Sequence, residues 1–113
     1  MTISAKKKGN RHKLSIKGDL TIYTAVACKQ KLLEALSDSK IVEIDLSKVS
    51  EIDTAGVQVL LLAQREARQT GKSAAVTSLS AAARAVLDLY NLTAQLTGEA
   101  GKASGNKRVN RRT

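Results

Sequence analysis

The stretch from Val49 to Ala63 reads V-S-E-I-D-T-A-G-V-Q-V-L-L-L-A, and it joins a strand pattern to a helical one. Upstream lies the most apolar strand candidate, Ile41 to Leu46; downstream, apolar residues recur at helical spacing. At the joint stand Asp53, Thr54, Ala55 and Gly56, two side chains with oxygens followed by two with almost no side chain. Asp or Thr at such a place caps the unpaired N–H groups that open a helix. The small residues that follow allow a close approach to the helix end. A hydroxyl there is also well placed to carry a phosphate, because the free N–H groups and the positive end of the helix dipole favour an anion.

Working outward, the helix after the joint is expected over about Thr54 to Thr70. It is apolar almost all round from Val57 to Ala63, polar at Gln64, Arg65, Arg68 and Gln69, and stopped by Gly71. Ala74 to Leu79 reads as a further strand. Ser80 suits the cap of a helix over Ala81 to Leu89 facing inward through Ala82, Val86 and Leu89, with Asn91 as its left-handed stop. Thr93 to Leu96 closes as a short helix or strand. In the other direction, Gly18-Asp19 turns the chain into a helix capped by Thr24 or Thr21, with Ala25, Cys28, Leu32, Ala35 and Leu36 on one face. Cys28 lies in that stripe and reads as a small buried hydrophobe. The N-terminal segment is either a hairpin, Thr2 to Ala5 and His12 to Lys17 about Gly9-Asn10, or a disordered basic arm followed by one strand. Strand–helix alternation favours an α/β fold with parallel crossovers.

A chain of 113 residues suits one domain, and with two Tyr and neither Phe nor Trp its core must be aliphatic. A single cysteine and no signal-peptide pattern point to the cytoplasm. The longest apolar run, Val59 to Ala63, falls far short of the ~20 residues of a membrane span. The net charge of +9 sits at the ends: residues 1–13 carry five cations and no acid, residues 14–97 nine of each sign, and residues 98–113 five cations and one acid. The parts are therefore a basic arm or first strand over 1–11, a neutral domain over 12–97, and a disordered basic tail over 98–113.

Catalysis is not expected. His12 is the only histidine, no His/Cys cluster has metal-ligand spacing, and no serine in the body has a histidine base. No Gly-x-x-x-x-Gly-Lys loop exists to hold nucleotide phosphates. Asp45 and Asp53 flank one strand end, where solvated carboxylates beside a helix cap are a far simpler reading than an acid–base pair. Neither a metal nor a cofactor is called for.

The stretch Ile44 to Val57, I-D-L-S-K-V-S-E-I-D-T-A-G-V, resembles the signature of STAS domains, the family of bacterial anti-anti-sigma factors. Gly18 to Thr21 (G-D-L-T) stands where the family has its Gly-Glu/Asp-Leu/Ile-Asp turn, and Leu89-Tyr-Asn-Leu92 agrees as well. The resemblance covers about residues 12 to 97. It implies a single α/β STAS domain, a small mixed β-sheet with helices packed mainly on one face. It also implies an anti-sigma factor antagonist-like role. The hydroxyl after the motif's Asp, here Thr54, would be the phosphoacceptor, and the partner a serine/threonine kinase that is also the anti-sigma factor. Asp53, Thr54, Ala55, Gly56 and Gln58 would form the binding face, with Tyr23 either bordering it or half-buried in packing; apart from a phosphoacceptor, Thr54 could be a plain helix cap or a docking residue. The tetrapeptide Asp-Thr-Ala-Gly is also similar to the STAS subunit of the bacterial phospholipid ABC transporter, in which the Thr supports docking onto the ATPase. Leu20 to Thr24 is similar to chemotaxis-associated STAS modules. The basic ends lack aromatic residues for base stacking, so nonspecific attraction to anionic surfaces is expected of them, with no specific nucleic-acid partner.

Overall fold

Gly9 takes φ +61°, a conformation open to glycine, and lets the chain reverse between Lys8 and Arg11 in two residues. The computed structural model describes residues 1–98. Strands β1 (Thr2–Lys8) and β2 (Arg11–Leu20) form the hairpin, in antiparallel register from Thr2↔Lys17 to Lys8↔Arg11. The N-terminal cations therefore sit on a folded strand pair and not on a loose arm. Helix α1 (Ala25–Asp38) carries the chain to β3 (Ile41–Ile52), which lies parallel to β2. Helix α2 (Thr54–Gln69) crosses back to β4 (Ser73–Leu79), parallel to β3, and α3 (Ala81–Leu89) and α4 (Thr93–Thr97) follow. The sheet order is β1-β2-β3-β4, a mixed sheet in an α/β fold.

Alternation along the strands assigns the faces. Leu14 and Ile16 of β2, Val42, Ile44 and Leu46 of β3, and Ala74 and Val76 of β4 are buried toward the helices. Lys13, Lys17, Glu43 and Asp45 alternate with them on the open side. Helices α1 and α2 bury Cys28, Leu32, Ala35 and Leu36 and Val57, Val59, Leu60, Ala63 and Ala67 in the same aliphatic core. Cys28 is wholly enclosed, and burial pushes its thiol up to about 11.

Four local expectations are corrected. The central strand does not end at Leu46. It runs to Ile52, because register shifts against β2, opposite Ser15–Lys17 and opposite Gly18–Asp19, each add a residue to β3 and re-aim the chain so that Val49 and Ile52 still point inward past polar neighbours. The turn expected at Gly18-Asp19 lies within β2, which continues to Leu20; Gly18 takes φ +97° beside one of these irregularities. Thr24 stands at the start of α1 without capping it: its hydroxyl accepts the Thr21 N–H and donates to the Asp19 carbonyl, closing the preceding turn. Helix α3 faces inward through Ala83 and Leu87, four residues apart, with Val86 half-buried; Leu89 is 76% exposed. Ser80 does cap α3 through the Ala83 N–H, and Asn91 takes φ 58° as its stop. The segment after Leu92 is helical. The expectation for the basic tail lies, from residue 99 onward, outside the described residues. Among the described residues, no helix is long and apolar enough to cross a membrane.

Candidate functional site

Asp53 sits in extended conformation between β3 and α2, and its carboxylate joins two parts of the chain. One oxygen accepts the Gly56 N–H at 3.1 Å, capping α2; the other accepts the Ile22 N–H at 2.9 Å, anchoring the turn that opens α1. The backbone adds a third tie, from the Asp53 N–H to the Leu20 carbonyl. These N–H donors hold the carboxyl below the usual aspartate range. The cap is thus Asp53 and not Thr54, which is the first residue of the helix proper.

That role leaves the Thr54 hydroxyl free of the helix end, exposed, and 3.2 Å from the Tyr90 hydroxyl at the end of α3. The segments that meet here carry exposed apolar side chains: Ile22, Tyr23 and Val26 on the one joined to Asp53, Leu89 and Tyr90 on the one joined to Thr54. Tyr23 is 94% exposed, which overturns the half-buried alternative. Three segments far apart in sequence, near residues 22, 54 and 90, therefore meet at one end of the sheet. A face of apolar side chains about a polar centre is suited to protein contact.

The other expected site residues divide. Ala55 is half-buried and Gln58 exposed, both on the first turns of α2. Gly56 is buried and belongs to the interior: a Cβ there would meet the Leu20 carbonyl oxygen well inside contact distance, the Leu20 Cγ at 2.9 Å and the Ile52 Cγ1 at 3.0 Å. The close approach that its smallness permits is made by β2, not by a partner, so Gly56 is corrected from a contact residue to a packing residue. Asp45 is bound to its own strand through the Ser47 N–H at 2.8 Å, so each of the two carboxylates has a backbone task. His12 lies in β2 with its Nδ1 3.1 Å from the Ser39 hydroxyl. Ile22, Val26, Leu89 and Tyr90 were not expected at the site. The signal for the last two was present in Leu89-Tyr90-Asn91, because a helix capped at Ser80 with Ala83 inward places Leu87, not Leu89, on the buried face.

The sign of the Asp53 effect sets a pH window. A carboxyl whose folded pKa is depressed stabilises the fold above its unfolded pKa of about 3.9, and the contribution is lost as pH falls through the folded value. Asp53→Ala is expected to lower the melting temperature by several degrees at pH 7, with the gap to wild type narrowing below about pH 4. Calorimetric melts from pH 7 to pH 2 measure this; a gap independent of pH would show that the carboxylate's charge is irrelevant to the cap.

A family model described as "Mlab, STAS domain" matches residues 3–98. Among solved structures, an anti-sigma factor antagonist from Mycobacterium paratuberculosis aligns with a TM-score of 0.73 at 22% identity, over 84% of this chain and 81% of that one. A Thermotoga maritima protein proposed as an anti-sigma factor antagonist gives 0.75 at 20% identity, over 88% and 92%. The Bacillus cell fate determinant SpoIIAA in its phosphorylated form gives 0.67 at 12% identity, over 98% and 93%. At these identities the likeness is one of fold.

Proposed function

Since the chain belongs to the STAS-domain family, we propose that it is a non-catalytic partner-switching protein that binds through the start of α2, in the manner of an anti-sigma factor antagonist. Its partner is a serine/threonine kinase that doubles as the anti-sigma factor, and Thr54 is the residue it phosphorylates. The observation that supports this most is that an exposed Thr54, at a helix N-terminus and hydrogen-bonded to Tyr90, stands where the segments that carry the exposed apolar side chains Ile22, Tyr23, Val26, Leu89 and Tyr90 meet. The unmodified hydroxyl is neutral and fits a desolvated contact. A phosphate adds about −1.5 to −2 charges next to the Asp53 carboxylate and must stay in water.

A second reading is supported by the hydrogen bond between Thr54 and Tyr90 and by the description of the matching family model. In it the pair is a fixed docking anchor for the ATPase of a phospholipid ABC transporter, and no phosphate is involved. The two readings differ in what removal of the hydroxyl does.

Affinity capture from native lysate with wild type, Thr54→Ala and Thr54→Glu as baits separates them. Recovery of a kinase or anti-sigma factor by wild type and Ala, but not by Glu, supports the switch; phosphate on Thr54 in the native protein, read by mass spectrometry, completes it. Recovery of an ABC ATPase that already fails with Ala moves the protein to the docking class. Equal recovery of the same partners by all three baits would place the interface elsewhere.

A further inference from the structure

The hairpin that receives the N-terminal cations also orders them. Residues paired across strands share a face, so Lys6 and Lys13 lie together on the open side of the sheet with Glu43, and Lys8 and Arg11 lie together in the next row. The Lys40 N–H donates to the Asn10 carbonyl, which brings a further exposed lysine to the same end. Lys7 points to the helix side and pairs with Asp38 at 3.0 Å; Arg11 pairs with Glu43 at 2.7 Å. Six cations thus stand against two carboxylates, an excess of four positive charges at the turn end of the hairpin. Along the open face the excess then shrinks, with Asp45, Lys17 and Lys48 in the middle, and reverses at the far end, where Asp19 and Glu51 stand beside the start of α2.

We infer that this basic end of the sheet is a landing surface for anionic lipid bilayers. The inference goes beyond the partner contact proposed for the Thr54 face and does not depend on it. Charge complementarity argues for a polyanion: the excess cations are exposed, lie on two adjoining strands and at Lys40 beside their turn, and are mostly lysines, which attract a charged plane without needing a paired geometry. Nucleic acid is a poorer match. Both tyrosines are at the opposite end, the His12 ring at the basic end is half-buried against Ser39, and among the described residues no helix projects from that end to enter a groove. Strand β2 spans about 30 Å from Arg11 to Leu20, so a molecule seated on its hairpin end holds the Thr54 face outward, where a partner reaches it.

The test is sedimentation of the full chain with phosphatidylcholine vesicles, with and without phosphatidylserine, at low and at physiological salt. The expected result is binding that requires phosphatidylserine and falls steeply with salt. It should drop about a hundredfold in Lys6→Gln/Lys8→Gln/Lys13→Gln, roughly fivefold for each lysine. Because these side chains are exposed, the variant should melt as wild type does, and a circular dichroism melt checks it. A second variant, Lys107→Gln/Arg108→Gln/Arg111→Gln/Arg112→Gln, should retain more of the binding than the first. Absence of binding to phosphatidylserine vesicles, binding that survives the triple change, or binding lost only in the tail variant would each overturn the inference. So would stronger binding to a DNA duplex at the same salt.

Discussion

Gly56→Ala is expected to lower stability by about 3 kcal/mol and the melting temperature by roughly 15 °C. Helix propensity alone gives the opposite sign, because alanine inside a helix is favoured over glycine by up to ~1 kcal/mol. The close approach of β2 decides between them. The added methyl would be driven into the Leu20 carbonyl oxygen and would crowd Leu20 Cγ and Ile52 Cγ1. Leu20 is fully buried, and its carbonyl already accepts the Asp53 N–H. The oxygen therefore cannot swing away without breaking the joint that positions the site. Denaturant titration of the two proteins reads the difference, and a variant as stable as wild type would mean that α2 can slide off β2 freely.

Thr54→Glu is expected to reduce partner binding by a hundredfold or more while leaving the fold intact. The two effects separate because one charge meets two environments. In the free protein it lies in the first turn of α2, where the helix dipole favours an anion by about 0.5 kcal/mol, so the melting temperature should hold or rise. In the proposed complex the same charge would be pressed between the partner and the exposed apolar segments at Ile22 and Leu89, beside the Asp53 carboxylate, and would lose its water. An uncompensated carboxylate in such a contact costs about 3 kcal/mol or more, equivalent to at least a hundredfold in Kd. Calorimetric titration against the captured partner, paired with a thermal melt, measures both. A variant that binds normally would remove Thr54 from the interface; one that unfolds would show that the residue is structural.

The joint itself was legible because Asp-Thr-Ala-Gly combines cap chemistry with small residues immediately after an aliphatic strand, and each feature alone has a local cause. The Gly9-Asn10 turn was equally local. What could not be read was which partner each small or apolar residue would find. Gly56 looked like an opening for another molecule, and only the passage of β2 over α2 shows that the space is already filled. The expected strand stopped at Leu46 because Ser47, Lys48, Ser50 and Glu51 interrupt the alternation that marks a strand, and the register shifts against β2 that accommodate them have no local signal. Leu89 was apolar and in helical phase with Val86, yet the inward face follows Ala83 and Leu87. Tyr23, near a helix start, was open to either packing or the binding face, and it is almost fully exposed. These gaps share a cause: burial is a property of where distant segments meet, and residues 22, 54 and 90 meet only in three dimensions.

Both aromatic rings of the chain, Tyr23 and Tyr90, stand at that meeting point, and the aliphatic core contains none. The protein is in effect labelled at one end by its own chromophores. Tyrosine emission reports the environment of the Thr54 face and is nearly blind to core packing. Backbone dichroism reports the helices and is nearly blind to that face. Arrival of a partner and loss of the fold therefore have separate optical signatures in the unmodified molecule.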